Sequence, residues 1–253
     1  MNARFRELLA FHIDAQRGMF IDETAHAADG AGVWVFSARE SDPSWNLFYV
    51  LDPAAALRQK ERIAREFAVR GREPVWYLAD REAAALPDPW RRFGSDCWMA
   101  RDADASGAPT PAAAFALRTV ETAADADAFN RLYLDVFWEG APEPGAAVPI
   151  GGAPSGGGGF EARHWLAADD DGPVALLSVL ARDGLAALYN VGTRPSARGR
   201  GLGSALMRAV LAEEARRGVA RFFLLTERDK PLAPFYERLG FATVTTGGYY
   251  RCS

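Results

Sequence analysis

The string Arg194-Pro195-Ser196-Ala197-Arg198-Gly199-Arg200-Gly201-Leu202-Gly203-Ser204 constrains this chain more than any other feature. It follows a strand-like run, Leu185 to Thr193, and opens a helical pattern over Gly201 to Arg217. Leu202, Leu206, Ala209 and Val210 fall on one face of that helix, and Gly218 stops it. Backbone N–H groups of a glycine-rich turn running into a helix N-terminus form a nest of donors with partial positive charge, which suits phosphate. The glycines let a ligand approach the backbone closely and permit positive φ angles. Arg198 and Arg200 add charge-assisted contacts. A dinucleotide fingerprint fails here because Ser204 stands where its third glycine belongs, and a P-loop fails because the string has no lysine. The pattern left is Arg198-x-x-Gly201-x-Gly203 between a strand and a helix.

Around this loop the chain alternates strands and helices. Leu117 to Val120 reads as a strand, and Thr122 with Asp125 as a capping box. The helix that follows has Phe129, Leu132, Tyr133, Val136 and Phe137 on one apolar face. His164 to Ala168, Val174 to Ala181 and Leu185 to Thr193 read as three strands joined by tight turns. Arg221 to Thr226 is a buried strand, Pro231 to Leu239 a short helix, and Phe241 to Arg251 one or two closing strands. The first half is a fainter copy: strand Leu47 to Leu51, helix Ala56 to Arg70, strand Val75 to Ala79, short helix Arg81 to Leu86, then a closing strand with Trp98 and Met99. Gly71 to Phe93 spans 22 positions and Gly218 to Phe241 spans 23, whereas Tyr49 to Gly71 spans 22 against 29 for Tyr189 to Gly218. The shortfall lies where the second half carries its glycine-arginine loop. The Gly- and Pro-bearing stretch Ala103 to Ala114 reads as an interdomain linker. This gives domains 1–102 and 116–253 with a linker at 103–115. A second such stretch, Gly140 to Gly159, reads as a long loop inside the second domain.

At 253 residues the chain can bury one large core or two small ones. The net charge of −4 argues against nucleic acid as a partner. All basic residues except Lys60 and Lys230 are arginine, a habit of GC-rich, bacterial-type coding. No apolar run reaches membrane-spanning length and the first residues lack a signal peptide's apolar core, so the expectation is a cytoplasmic protein without membrane contact. Two cysteines (Cys97, Cys252) and three histidines (12, 26, 164) are not at metal-ligand spacing, so no metal is expected.

The loop, Val191-Gly192-Thr193 before it, and Pro234-Phe235-Tyr236-Glu237-Arg238-Leu239-Gly240-Phe241 after it together resemble the GNAT N-acetyltransferase superfamily over about Leu117 to Arg251. The resemblance implies an α/β (α+β) fold of two GNAT-like domains, each a mixed, mostly antiparallel sheet flanked by helices, the N-terminal one degenerate. It implies acetyl-CoA as acyl donor, its pyrophosphate on the amides of Arg198, Gly199, Arg200, Gly201, Leu202, Gly203 and Ser204. Its pantetheine would pair with the strand through Asn190, Val191, Gly192 and Thr193, as an added strand does. Asp229 stands where the family often has an asparagine that contacts pantetheine. Tyr236 would sit near the thioester sulfur and protonate the departing thiolate.

The acceptor implied is a primary amine of a small molecule, acetylated by direct attack, since no G-x-S-x-G elbow seats a nucleophile. An amine must lose a proton to attack, yet Leu185 to Tyr189 carries no carboxylate; Glu227, His164 and relayed water remain open as the route. Trp138, Glu139, Glu143 and Tyr249 are candidates for the acceptor pocket. Exposed strand edges suit a homodimer. The alternatives are a non-catalytic acyl-CoA-binding or protein-interaction module, and a transferase of longer acyl chains or to oxygen.

Overall fold

The computed structural model describes residues 2–83, 86, 89–104, 115–138, 159–228 and 230–252. In chain order these form α1 (Ala3–Gln16), β1 (Glu23–His26), β2 (Gly32–Phe36), β3 (Leu47–Val50), α2 (Pro53–Arg58), α3 (Lys60–Ala68), β4 (Val75–Ala79), α4 (Asp80–Ala83) and β5 (Trp90–Asp102). Then follow β6 (Ala116–Thr119), α5 (Ala123–Phe137), β7 (Glu161–Asp169), β8 (Gly172–Arg182), β9 (Leu185–Thr193), α6 (Leu202–Arg216), β10 (Arg221–Glu227), α7 (Ala233–Glu237) and β11 (Ala242–Cys252). Most of the linker and of the long loop expected from sequence lies outside the described residues.

By contacts the chain divides into two compact units. Unit 1 holds residues 1–99, 225–235 and 242–253; unit 2 holds 100–224 and 236–241. In unit 1 the strand order is β1-β2-β3-β4-β11-β5. β3 and β4 are parallel, and α2 and α3 make the crossover between them. One apolar cluster joins Trp34, Phe36 and Phe48 of the sheet to Ile63 and Phe67 of α3. The Phe5 ring of α1 packs edge-on to Trp98 at 5.0 Å.

The sequence pattern assigns no element before Leu47, where the structure builds α1, β1 and β2. It also reads one helix over Ala56 to Arg70, where the structure breaks at Gln59. There the backbone N–H bonds the carbonyl of Ala56, three residues back, at 3.0 Å, and the side chain reaches the Ala28 carbonyl at 2.9 Å. β11, at the end of the second sequence half, pairs antiparallel with β4, from Gly247 opposite Ala79 to Arg251 opposite Val75. Its Tyr250 joins the apolar cluster of unit 1, so by burial this strand goes with that unit.

In unit 2 the order is β6-β7-β8-β9-β10, antiparallel from β6 to β9, with β9 and β10 parallel. The capping box at Thr122 and Asp125 forms as the sequence predicts. Phe129 and Leu132 of α5 pack on Leu166 and Leu176. Trp165, on the opposite face of β7, meets α6 through Glu214, so the two helices cover opposite faces. That second contact is a buried ion pair: Glu214 is 0% exposed and takes the guanidinium of Arg163 on both oxygens, with Trp165 Nε1 at 3.3 Å.

Candidate active site

The eight residues between β9 and α6 form the turn the sequence predicts. Gly199 and Gly201 adopt φ of 77° and 78°, a region L side chains rarely occupy. Gly201 is the N-cap of α6, and no side chain caps that helix. The first-turn amides of Leu202, Gly203 and Ser204 have no intrahelical acceptor by geometry, and they lie at the positive end of a helix dipole. The amides of Gly199, Arg200 and Gly201 likewise find no acceptor among the described residues. A Cβ on Gly199 or Gly201 would point into open space, so no protein atom packs against the turn at these two positions. This donor set fits a pyrophosphate. Arg198 Nε is anchored on the Thr193 carbonyl at 3.1 Å, and Arg200 pairs with Asp169 at 3.2 Å. Both guanidiniums are thereby held beside the turn.

Asn190 to Thr193 lead directly into this turn. β8 pairs with β9 out of simple register here: Leu176 faces Gly192 but Ser178 faces Tyr189. The extra residue is a β-bulge, and Asn190 takes φ of 54° within it. The parallel ladder to β10 is registered only from Leu185 to Ala187 and does not extend to the bulged stretch. The bulge was not legible from the strand's periodicity; asparagine's tolerance of the left-handed region is the one local cue. Gly192 has a packing reason as well, since a Cβ there would lie 2.5 Å from Val136 Cγ1 and 3.0 Å from Phe137 Cζ. The helix α5 presses against β9 at that point.

Tyr236 is on α7, 6% exposed, its ring edge-on to Phe241 at 6.1 Å. Burial pushes its phenol up to about 12, so it keeps its proton at neutral pH. Glu227 is exposed and bonded to Lys230 at 2.7 Å. His164 Nδ1 lies 2.8 Å from Ser178 Oγ, and burial lowers its pKa to about 4. Tyr249 lies in unit 1 and donates to Asp96, whose carboxyl burial raises to about 6. Trp138 is 40% exposed at the end of α5. Asp229, Glu139 and Glu143 lie outside the described residues. Among the described residues no group of three or more His, Cys, Asp or Glu side chains is placed to hold a metal, and no helix is long and apolar enough to cross a membrane.

Residues 161–243, the stretch that holds the turn between β9 and α6, match the family model of the Acetyltransferase (GNAT) domain. Solved structures that share the fold over most of the chain include proteins described as GNAT acetyltransferases. A GCN5-related N-acetyltransferase from Kribbella flavida superposes over 96% of this chain and 95% of its own, with TM-score 0.64 and 21% identity. A tandem GNAT protein from the clavulanic acid biosynthesis pathway covers 93% of this chain and 85% of its own, with TM-score 0.61 and 18% identity. In sequence, a mycothiol acetyltransferase of Streptomyces avermitilis is 35% identical over 96 residues, 36% of this chain and 31% of that protein. The chain thus matches about a third of the length of that curated relative.

Proposed function

We propose that this chain is an acyl-CoA-dependent N-acetyltransferase that moves an acetyl group from acetyl-CoA to a primary amine of a small molecule in the cytoplasm. The observation that carries the reading is the uncapped N-terminus of α6 behind two left-handed glycines, an anion cradle with no internal occupant. Bound acetyl-CoA supplies an activated acyl carbon, which passes from sulfur to the amine nitrogen. The chain's own part is to orient and to move protons. Amides of Arg198 to Ser204 hold the pyrophosphate, and Asn190 to Thr193 align the pantetheine arm beside the bulge. The amide of Val191 or a neighbour would donate to the thioester carbonyl as charge develops on its oxygen. Tyr236, neutral because it is buried, gives its proton to the departing thiolate, and the amine proton leaves through water. Among its described residues the first half shows no such cradle, and we read it as a degenerate GNAT-like half.

A second reading, a non-catalytic acyl-CoA-binding module, draws support from the side chains available as a base. Glu227 is ion-paired and exposed, and His164 is depressed to about 4. Calorimetric titration with acetyl-CoA separates the cases, comparing wild type with a Gly201→Glu, Gly203→Glu variant. One-to-one binding that the variant loses with its circular dichroism intact supports the cradle, and thiol release with an amine panel then supports the enzyme. A well-folded wild type that ignores millimolar acetyl-CoA sinks the proposal.

A further inference from the structure

On the face of unit 2 that α5 covers, Leu166 and Leu176 are apolar, but the next row along the strands is polar. It consists of His164 on β7, Ser178 directly opposite on β8, and Asn190 in the bulge of β9. The side chains are bonded in series. Asn190 Nδ2 donates to Ser178 Oγ at 3.1 Å, and Ser178 Oγ lies 2.8 Å from His164 Nδ1. Ser178 is 3% exposed, so its hydroxyl proton must be used inside the row. With the Asn190 N–H on its oxygen, we assign the hydroxyl proton to Nδ1, the ring nitrogen 2.8 Å away. That direction leaves the imidazole proton on Nε2.

His164 Nε2 is buried and has no hydrogen-bond partner, while the Phe129 ring stands edge-on to the imidazole at 5.2 Å. A buried donor without an acceptor calls for a physical account, such as strain, a catalytic role or a bound group. Here the incomplete donor ends a chain that begins at a residue held in the left-handed region, Asn190. Such backbone strain clusters at binding and catalytic sites. The imidazole is neutral at pH 7, so it offers a hydrogen and not a charge.

We propose that His164 is a specificity-determining residue of this site: its Nε2–H hydrogen-bonds an uncharged oxygen, a carbonyl or hydroxyl, carried by the acceptor amine. Ser178 and Asn190 are positioning residues that hold the tautomer. The inference rests on the acetyltransferase reading above and narrows its acceptors to amines with a neutral oxygen near the reacting nitrogen.

The first test is a long-range proton–nitrogen NMR correlation of the histidine rings in the full chain with acetyl-CoA present. An Nε2–H tautomer for His164 that Ser178→Ala disturbs is expected; an Nδ1–H tautomer overturns the proposal. The second test uses a matched pair of acceptors, alaninamide and 3-methylbutan-2-amine, which differ by an amide in place of an isopropyl group. The ratio of their kcat/KM values is expected to fall about tenfold or more in His164→Phe, through KM for alaninamide. His164→Gln, which keeps an N–H donor, is expected to retain most of the ratio. An unchanged ratio in His164→Phe overturns the proposal. Should that variant not fold, loss of the ratio in a folded His164→Gln overturns it. Alaninamide that leaves the His164 signals unmoved in protein that binds acetyl-CoA overturns this inference alone. Failure to bind acetyl-CoA overturns the underlying reading.

Discussion

Each unit has a strand that runs into a helix, and the two junctions satisfy the same helix end in opposite ways. In unit 1, only Leu51 and Asp52 separate β3 from α2. Asp52 is the N-cap and accepts the Ala55 N–H at 3.0 Å, and Pro53 at the first helical position has no N–H to offer. That helix carries its own anion. In unit 2, eight residues separate β9 from α6, the cap is a left-handed glycine, and no side chain closes the end. One junction is closed by its own side chain, and the other leaves the first-turn amides of its helix uncapped. A shared strand–helix order therefore does not imply a shared function; the loop chemistry between the elements decides it.

The largest contrast expected between the units is in their ion pairs. Removing Glu214 leaves Arg163 without its buried partner and Trp165 Nε1 without an acceptor. Glu214→Ala is expected to cost about 3 to 5 kcal/mol. In unit 1, Arg70 binds Glu23 and Glu66, but those carboxylates are 51% and 40% exposed. Glu23→Ala should cost about 1 kcal/mol or less. Urea unfolding of both variants checks this, and equal losses would show that burial does not separate the two networks.

Acid should separate the units next. His164 in unit 2 and His12 in unit 1 are both held at about 4 by burial, below the ordinary 6.5. Each is neutral when folded and takes a proton when unfolded. Each therefore contributes stability above pH 6.5, on the order of 3 kcal/mol, lost as pH falls from there toward 4. Asp96 in unit 1 runs the other way. Its folded pKa is raised to about 6 from 3.8, so its contribution is full below 3.8 and is lost as pH rises through 6. In unit 1 these two groups oppose each other over the window between pH 4 and 6.5, whereas unit 2 has His164 without such an offset. Hydrogen exchange read by mass spectrometry at pH 7 and pH 5 should show β7 and β8 losing more protection than β2 to β4. The reverse order would remove His164 as the acid-sensitive group.

How much of this was legible in the sequence follows the same contrast. The glycine-arginine turn, the capping box at Thr122 and the strand Val75–Ala79 were all readable because local chemistry dictates them. Gly199 and Gly201 are needed where φ is positive, and Thr122 and Asp125 satisfy each other's backbone groups. α1 was hidden although Asn2 caps it, because Arg4, Arg6 and Glu7 interrupt the apolar face of Phe5, Leu8, Leu9 and Ile13 and a buried His12 shares it. The placement of β11 beside β4 was hidden for a different reason. Pairing partners distant in sequence leave no periodic trace, and alternation within β11 is compatible with either unit. The Asn190 bulge was hidden because one added residue does not alter the strand's composition.

A smaller effect is expected at the glycines that the two units place against neighbours. Gly192→Ala puts a methyl 2.5 Å from Val136 Cγ1, a distance no real contact shows, so α5 or β9 must shift. The cost should be about 1 to 3 kcal/mol, and acetyl-CoA binding should weaken if, as proposed, the displaced strand aligns pantetheine. In unit 1, a methyl on Gly94 would lie 3.3 Å from the Tyr249 ring, a contact the ring can relieve by a few tenths of an ångström. Thermal unfolding of both alanine variants, with calorimetry on the first, distinguishes a packing glycine from a tolerant one. A Gly192→Ala protein with wild-type affinity would mean the strand does not align the cofactor.

The smallest effect is the one that bears most directly on the two junctions. Asp52→Ala removes the cap of α2 and should cost about 1 kcal/mol of stability. It should not create a second acetyl-CoA site, because the carboxylate is only part of what closes that end. Pro53 still withholds an amide, and a two-residue connection has no left-handed glycines to turn further donors toward a ligand. Calorimetry should therefore return one acetyl-CoA per chain for the variant, as for wild type. Two sites in Asp52→Ala would mean that a single negative charge had silenced unit 1. The two-residue connection between β3 and α2 would then not be what distinguishes the two junctions.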